Sequence, residues 1–118
     1  MSTARARITN GSVLLPGVDG RSAQARRFRD LVISFVDDLG GPDALTESDR
    51  ALVRQAAGLI VRSEMLQAAI VNGEDIDENQ AIRLANAAAR TLAALKRKVR
   101  RKAEFDLRSY LAGRKPAA

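Results

Sequence analysis

Neither cysteine nor histidine occurs anywhere in this 118-residue chain. Their absence removes disulfide frameworks and thiolate or imidazole metal sites, and it leaves general acid–base work to carboxylates and lysine. Aromatic side chains are almost as scarce, at 3%, so a core must be assembled from Leu, Ile, Val and Ala. Small side chains let helices approach closely but remove little surface from water, at ~25 cal/mol per Å². Oligomerisation is the usual remedy for so thin a core. No apolar run approaches the ~20 residues of a membrane span. The segment Arg5, Arg7, Ile8-Thr9-Asn10-Gly11 lacks the apolar stretch of a signal peptide. These absences lead us to expect a cytoplasmic protein that does not enter a membrane.

What is present is an uneven charge distribution. The net charge of +6 divides into +4 over residues 1–36, −5 over 37–95 and +7 over 96–118. Basic ends on an acidic middle point to partners engaged by the ends.

The apolar periodicity predicts an all-α chain, a three-helix domain with a central αα-hairpin and a long third helix extending into a basic C-terminal tail. Residues 1–21 read as an irregular arm, broken by Gly11, Pro16, Gly17 and Gly20, yet apolar at Val13, Leu14, Leu15 and Val18. Residues 22–95 read as a helical oligomerisation domain, and residues 96–118 as a basic helix or tail. The first helix spans residues 22–39, with Phe28, Leu31, Val32, Phe35, Val36 and Leu39 on one face, Ser22 as N-cap and Gly40-Gly41-Pro42 as its stop. The second opens at Thr46-Glu47-Ser48-Asp49, a capping box with Asp in place of Glu, and runs to Asn72-Gly73. Its broad apolar girth makes it the central helix, with Leu52, Leu59 and Leu66 available to a neighbouring subunit. A short acidic loop leads to Asp77, the N-cap of a third helix over residues 77–111. Its apolar positions Ile82, Ala85, Ala89 and Leu92 want partners, and Ile82 and Leu92 complete the expected oligomer interface. The stretch 112–118, with Gly113 and Pro116, is expected to fray.

Catalysis is the class least served by these residues. Asp37-Asp38 and the cluster Glu74, Asp75, Asp77 and Glu78 are ordinary solvated acids at helix ends, although a hard cation needs only carboxylates and water. The glycines of residues 17–22 lack the spacing and lysine of a phosphate loop. No enzyme, cofactor or metal is expected.

The third helix carries a stronger pattern. Arg83, Arg90, Arg97, Arg101 and Arg108 share one narrow sector at 100° per residue, a ridge roughly 37 Å long. Lys96, Lys98, Arg100 and Lys102 broaden it, giving six cations in seven residues. Such a ridge suits contacts to the phosphates of double-stranded DNA, which position a protein without reading sequence. No aromatic interleaves the run, which disfavours stacking on single strands. Arg26, Arg27 and Arg29 lie off the apolar face of the first helix and add to the candidate DNA contacts, as do Arg5 and Arg7. The bland alternative is a solvated face. A basic amphipathic helix on an anionic membrane is weaker, because only Phe105, Leu107, Tyr110 and Leu111 supply an apolar side.

Several stretches taken in order carry a family resemblance: Asn10-Gly11, then Leu14-Leu15-Pro16-Gly17-Val18-Asp19-Gly20-Arg21-Ser22-Ala23-Gln24-Ala25-Arg26-Arg27-Phe28-Arg29-Asp30-Leu31, then Asp37-Asp38-Leu39-Gly40-Gly41, Leu45-Thr46-Glu47, Leu52-Val53-Arg54-Gln55-Ala56-Ala57 and Asn72-Gly73-Glu74. Over residues 10–95 the chain resembles small terminase subunits of tailed phages and prophages of alphaproteobacteria. The resemblance implies a non-catalytic role in genome packaging. It implies a helical homo-oligomeric ring that binds viral DNA and recruits or regulates the large ATPase–nuclease subunit in the bacterial host cell. The chain departs from many such proteins in showing no short-turn recognition helix, so the first helix or the basic tail would have to meet the DNA. The runner-up is a small DNA-binding regulator or antitoxin-like dimer. A third reading is a structural adaptor whose tail docks on another protein.

Overall fold

Polar and glycine signals in the sequence mark where each helix begins and ends. The computed structural model describes residues 22–114, which form three helices with no strand among the described residues: α1, Ala23–Asp38; α2, Glu47–Val71; and α3, Glu78–Arg114. A single 3-10 turn, Pro42–Ala44, sits between the first two. The expected arm over residues 1–21, with Arg5 and Arg7, lies outside the described residues.

Ser22 caps α1, its hydroxyl accepting from the Ala25 N–H at 3.1 Å. Thr46 and Asp49 close the capping box of α2 in both directions. The Asp49 N–H donates to Thr46 Oγ1 at 3.1 Å, and the Thr46 N–H donates to Asp49 Oδ2 at 3.1 Å. Asp77 opens α3, its Oδ1 accepting from the N–H groups of Asn79 at 3.0 Å and Gln80 at 3.3 Å. Each cap satisfies donors that the first helical turn leaves without intrahelical partners.

The stops of α1 and α2 repeat one device. Gly40 takes φ +105° while the Gly41 N–H reaches back to the Val36 carbonyl at 2.9 Å. Gly73 takes φ +81° while the Glu74 N–H reaches the Ala69 carbonyl at 3.0 Å. A left-handed glycine followed by this six-residue closure satisfies the last carbonyls, and a side chain at either position would be strained.

Helix α2 is the central element, packing on α1 along one side and on α3 along the other. Its first turn lies beside Lys98 and Lys102 of α3, and its last turns beside Gln80 and Leu84, so α2 and α3 run in opposite senses. One buried cluster joins Leu39, Leu45, Val53, Ala56 and Leu95, with Leu52 and Val99 packed against it. A second joins Leu31, Ala57 and Val61 under Phe28, Phe35 and Ile60. The alanines at 56 and 57 have no exposed surface, which is how small side chains let the helix axes close up.

Two features differ from the sequence reading. On α3 the buried positions are Ala88 and Leu95, with Leu84 and Val99 half-buried, while Ile82, Ala85 and Ala89 are exposed. Alanines occupy several sides of this helix, so periodicity alone could not choose among them; contacts further along fix its rotation. The helix also continues through Ala112 and Gly113 to Arg114, past the fraying expected from residue 112. It does so as an overhang: residues 103–113 are all exposed, about 16 Å of helix beyond the last half-buried position, Lys102.

Leu95 carries the largest apolar contribution of α3 to the core, at 2% exposure. Leu95→Ala is expected to lower unfolding free energy by about 2–5 kcal/mol, read by urea denaturation. Leu107→Ala, on the overhang, should leave it nearly unchanged.

Candidate nucleic-acid interface

The run of six cations is divided by a single buried carboxylate. Asp49 is 2% exposed. Lys98 Nζ lies 2.9 Å from Asp49 Oδ1, and Lys102 Nζ lies 3.1 Å from Oδ2. Lys102 also donates to the Ala44 carbonyl at 2.9 Å, joining the 3-10 turn to the same knot. The four-residue spacing of the lysines sets both ammonium groups on one side of α3. The lysine stems lie along the domain while each side chain keeps about a third of its surface in solvent, at 35% and 32%.

Burial pushes the Asp49 carboxyl upward, but it is outweighed by the hydrogen bonds from Lys98, the Thr46 N–H and Lys102. Together they hold the group well below the usual carboxylate range. The N-terminus of α2 adds a favourable dipole.

Lys98 and Lys102 were expected to contact DNA with the rest of the run. Both are instead engaged with Asp49, because a charge buried in an apolar, alanine-rich core must be paired where it lies. Arg27, also expected at the DNA, forms a two-pronged pair with Glu64 across α1 and α2, Nε to Oε1 at 3.2 Å and Nη2 to Oε2 at 3.0 Å. Arg26 is exposed on the outer side of α1.

The remaining cations are of a different kind. Lys96, Arg97, Arg100, Arg101, Arg90 and Arg108 are exposed, and among the described residues none of them forms an ion pair. Arg90, Arg97, Arg101 and Arg108 lie within a sector of roughly 40° on α3, about 140° round the helix from Leu95. That line of guanidinium groups runs from the body of the domain onto the overhang. Arg101 and Arg108 reach a cleft of about 570 Å³ that α3 forms with Leu39, Gly40 and Ala44.

Of the residues expected at an oligomer interface, Leu52, Leu59, Leu66 and Leu92 are half-buried within the chain. Leu52 packs on the first core cluster, and Leu66 shares a shallow cleft with Leu84. Ile82 is 58% exposed. Among the described residues no group of three or more acidic side chains is arranged to hold a metal ion, and no helix is long and apolar enough to cross a membrane. The sequence reading used Asp49 only as a cap. Its partners lie 49 and 53 positions away, and no local signal connects them.

Comparison of the chain with protein-family models, curated proteins and solved structures found no match in any of the three.

The depressed Asp49 carboxyl has a consequence for stability. An unfolded aspartate titrates near ~3.9, above the folded-state value, so the stabilisation is complete above about pH 5 and fades as pH falls through the folded-state value. Asp49→Asn should cost about 2–3 kcal/mol at pH 7 by leaving two lysines without their counter-ion. It should also flatten the acid side of the stability profile, measured by urea denaturation from pH 7 to 2.

Proposed function

We propose that this protein is a non-catalytic DNA-packaging component of the small-terminase type. It assembles with copies of itself, binds double-stranded DNA through the phosphate backbone, and engages a large ATPase–nuclease subunit. The observation that carries the DNA-binding part is the exposed line of Arg90, Arg97, Arg101 and Arg108 along a single uninterrupted helix. A neutral hydrogen-bonding surface would serve solubility as well. A row of arginines with no ion pair among the described residues is complementary to a polyanion, because guanidinium groups make charge-assisted contacts to phosphate. The row spans roughly 27 Å, a length over which a duplex presents many phosphates. The assembly and the packaging role rest on the family resemblance of residues 10–95 and on the thin, alanine-rich core.

Two measurements test the reading. Binding of a duplex is followed by fluorescence anisotropy between 50 and 200 mM salt. Changing Arg90, Arg97, Arg101 and Arg108 to Gln should weaken binding and reduce the slope of log K against log salt by up to about 0.9 per lost phosphate contact. Changing Lys98 to Met should instead reduce stability and leave the slope nearly unchanged. An unaltered slope in the arginine variant overturns the site. The mass of the assembly by light scattering decides the process. A discrete assembly larger than a tetramer fits packaging, and a dimer fits a small DNA-binding regulator or antitoxin-like protein.

A further inference from the structure

The described residues leave one apolar groove open between α1 and the start of α2. It holds about 460 Å³ and is lined by Phe28, Val32, Ile33, Val36, Leu45 and Val53. No residue of α3 borders it. Ile33 is 60% exposed there, and Phe28 and Val36 are only half-buried. One acid, Asp37, and two arginines, Arg50 and Arg54, stand at its edge. Arg50 is already turned to Glu47 at 3.3 Å and to the Pro42 carbonyl at 3.1 Å. Both signs of charge are present, so charge does not select what fills the groove. Apolar match and chain length do.

The segment that matches is in the same chain, where Val13-Leu14-Leu15-Pro16 precedes α1. Asp19-Gly20 between them is a turn dipeptide, and a reversal there sends the segment back along α1. The two lengths then agree. Ile33 lies about 17 Å along α1 from Ser22. Leu14 lies about 17 Å back from Asp19 in an extended chain. The same register sets Pro16 level with Phe28, at about 10 Å against 9 Å, and Val13 level with Val36, at about 20 Å against 21 Å. We propose that Val13-Leu14-Leu15-Pro16 docks in this groove of its own chain, extended and antiparallel to α1, with Leu14 on Ile33.

The residues of the segment suit such a seat. Pro16 biases Leu15 toward extended backbone. It also has no N–H, so the segment brings one donor fewer into apolar surroundings. Tethering favours this occupant over a separate one: a segment joined to α1 a few residues away meets the groove at an effective concentration in the millimolar range. Docking adds large aliphatic side chains to a core otherwise built with many alanines. It also points the residues before Val13, with Arg5 and Arg7, toward the 3-10 turn, the end of the domain from which the α3 overhang extends. The docking depends neither on DNA binding nor on self-assembly.

The chain has no cysteine, so introduced thiols report alone. One full-length variant carries Leu14→Cys and Ile33→Cys, and its control carries Leu14→Cys and Val71→Cys. Val71 is 85% exposed and lies less than one turn beyond Ala68, which shares a cleft with Ala23 at the start of α1. An undocked arm reaches both positions, since Leu14 has about 26 Å of chain to Ser22. Circular dichroism checks that the variants fold. In a glutathione buffer, the Leu14/Ile33 pair should close within one chain at least about tenfold faster than the Leu14/Val71 pair, at any protein concentration. A second measurement needs no register: the thiol of Ile33→Cys is labelled with a disulfide reagent, and adding Leu14→Ser and Leu15→Ser should speed labelling about fivefold or more by opening access. Equal closure of the two pairs overturns the inference, as does labelling that the serines leave unchanged. A disulfide that joins two chains, at a rate rising with concentration, assigns the groove to the arm of a second copy and overturns it. Labelling of Ile33→Cys as fast in the folded chain as in urea leaves the groove to a separate protein and overturns it too.

Discussion

The position of α3 depends on one buried carboxylate. Asp49 reaches out of the first turn of α2 and is met by Lys98 and Lys102 from a helix that begins almost thirty residues later. An apolar core this poor in large side chains exerts little rotational discrimination, because alanine packs similarly on several faces of a helix. A charge pair with hydrogen bonds of 2.9–3.1 Å does discriminate. Rotating α3 by one residue would carry both ammonium groups away and leave a charge in an apolar setting, which costs far more than exchanging one alanine for another. The same carboxylate caps α2 through the Thr46 N–H, and Lys102 ties in the 3-10 turn through Ala44. Helix start, interhelical register and connection therefore share one atom group.

This constraint separates cations that look alike in sequence. Within residues 96–102, Lys98 and Lys102 face Asp49, Arg97 and Arg101 stand roughly 100° round the helix from them, and Lys96 and Arg100 lie nearly opposite the two lysines. The chemistry of the residues suits the division. Lysine offers a compact charge on a flexible stem that can lie along apolar surface before reaching a carboxylate, and arginine offers a planar fork suited to phosphate. The run is therefore both a structural clamp and a candidate binding surface, and its two halves should respond differently to substitution.

The fold was largely legible in the sequence. Ser22, Thr46, Asp49 and Asp77 as caps, and Gly40 and Gly73 as stops, are local chemistry: a side-chain oxygen within three residues of a free N–H, or a glycine where the backbone must turn left-handed. The centrality of α2 followed from the width of its apolar girth. What was not legible is all long-range. Whether Ala85 or Ala88 faces the core depends on a partner outside the helix. The pairing of Asp49 with Lys98, or of Arg27 with Glu64, leaves no periodic trace. The length of α3 was underestimated because Gly113 weakens an isolated helix, but here the final turns extend a helix already nucleated by packing.

Rigidity is what joins this clamp to the candidate interface. A row of arginines tracks a duplex backbone only if the groups keep their spacing and direction. The row starts where α3 is packed, at Arg90, and ends at Arg108, on an overhang with no packing of its own. Its outer members inherit their direction from the inner turns, and those turns are held in rotation by Lys98 and Lys102 on Asp49. The two lysines thus set the direction of the arginine row through Asp49. A weakly packed core fits such an arrangement: the apolar contacts supply cohesion, one buried charge supplies orientation, and the outward half of the cationic run is left exposed.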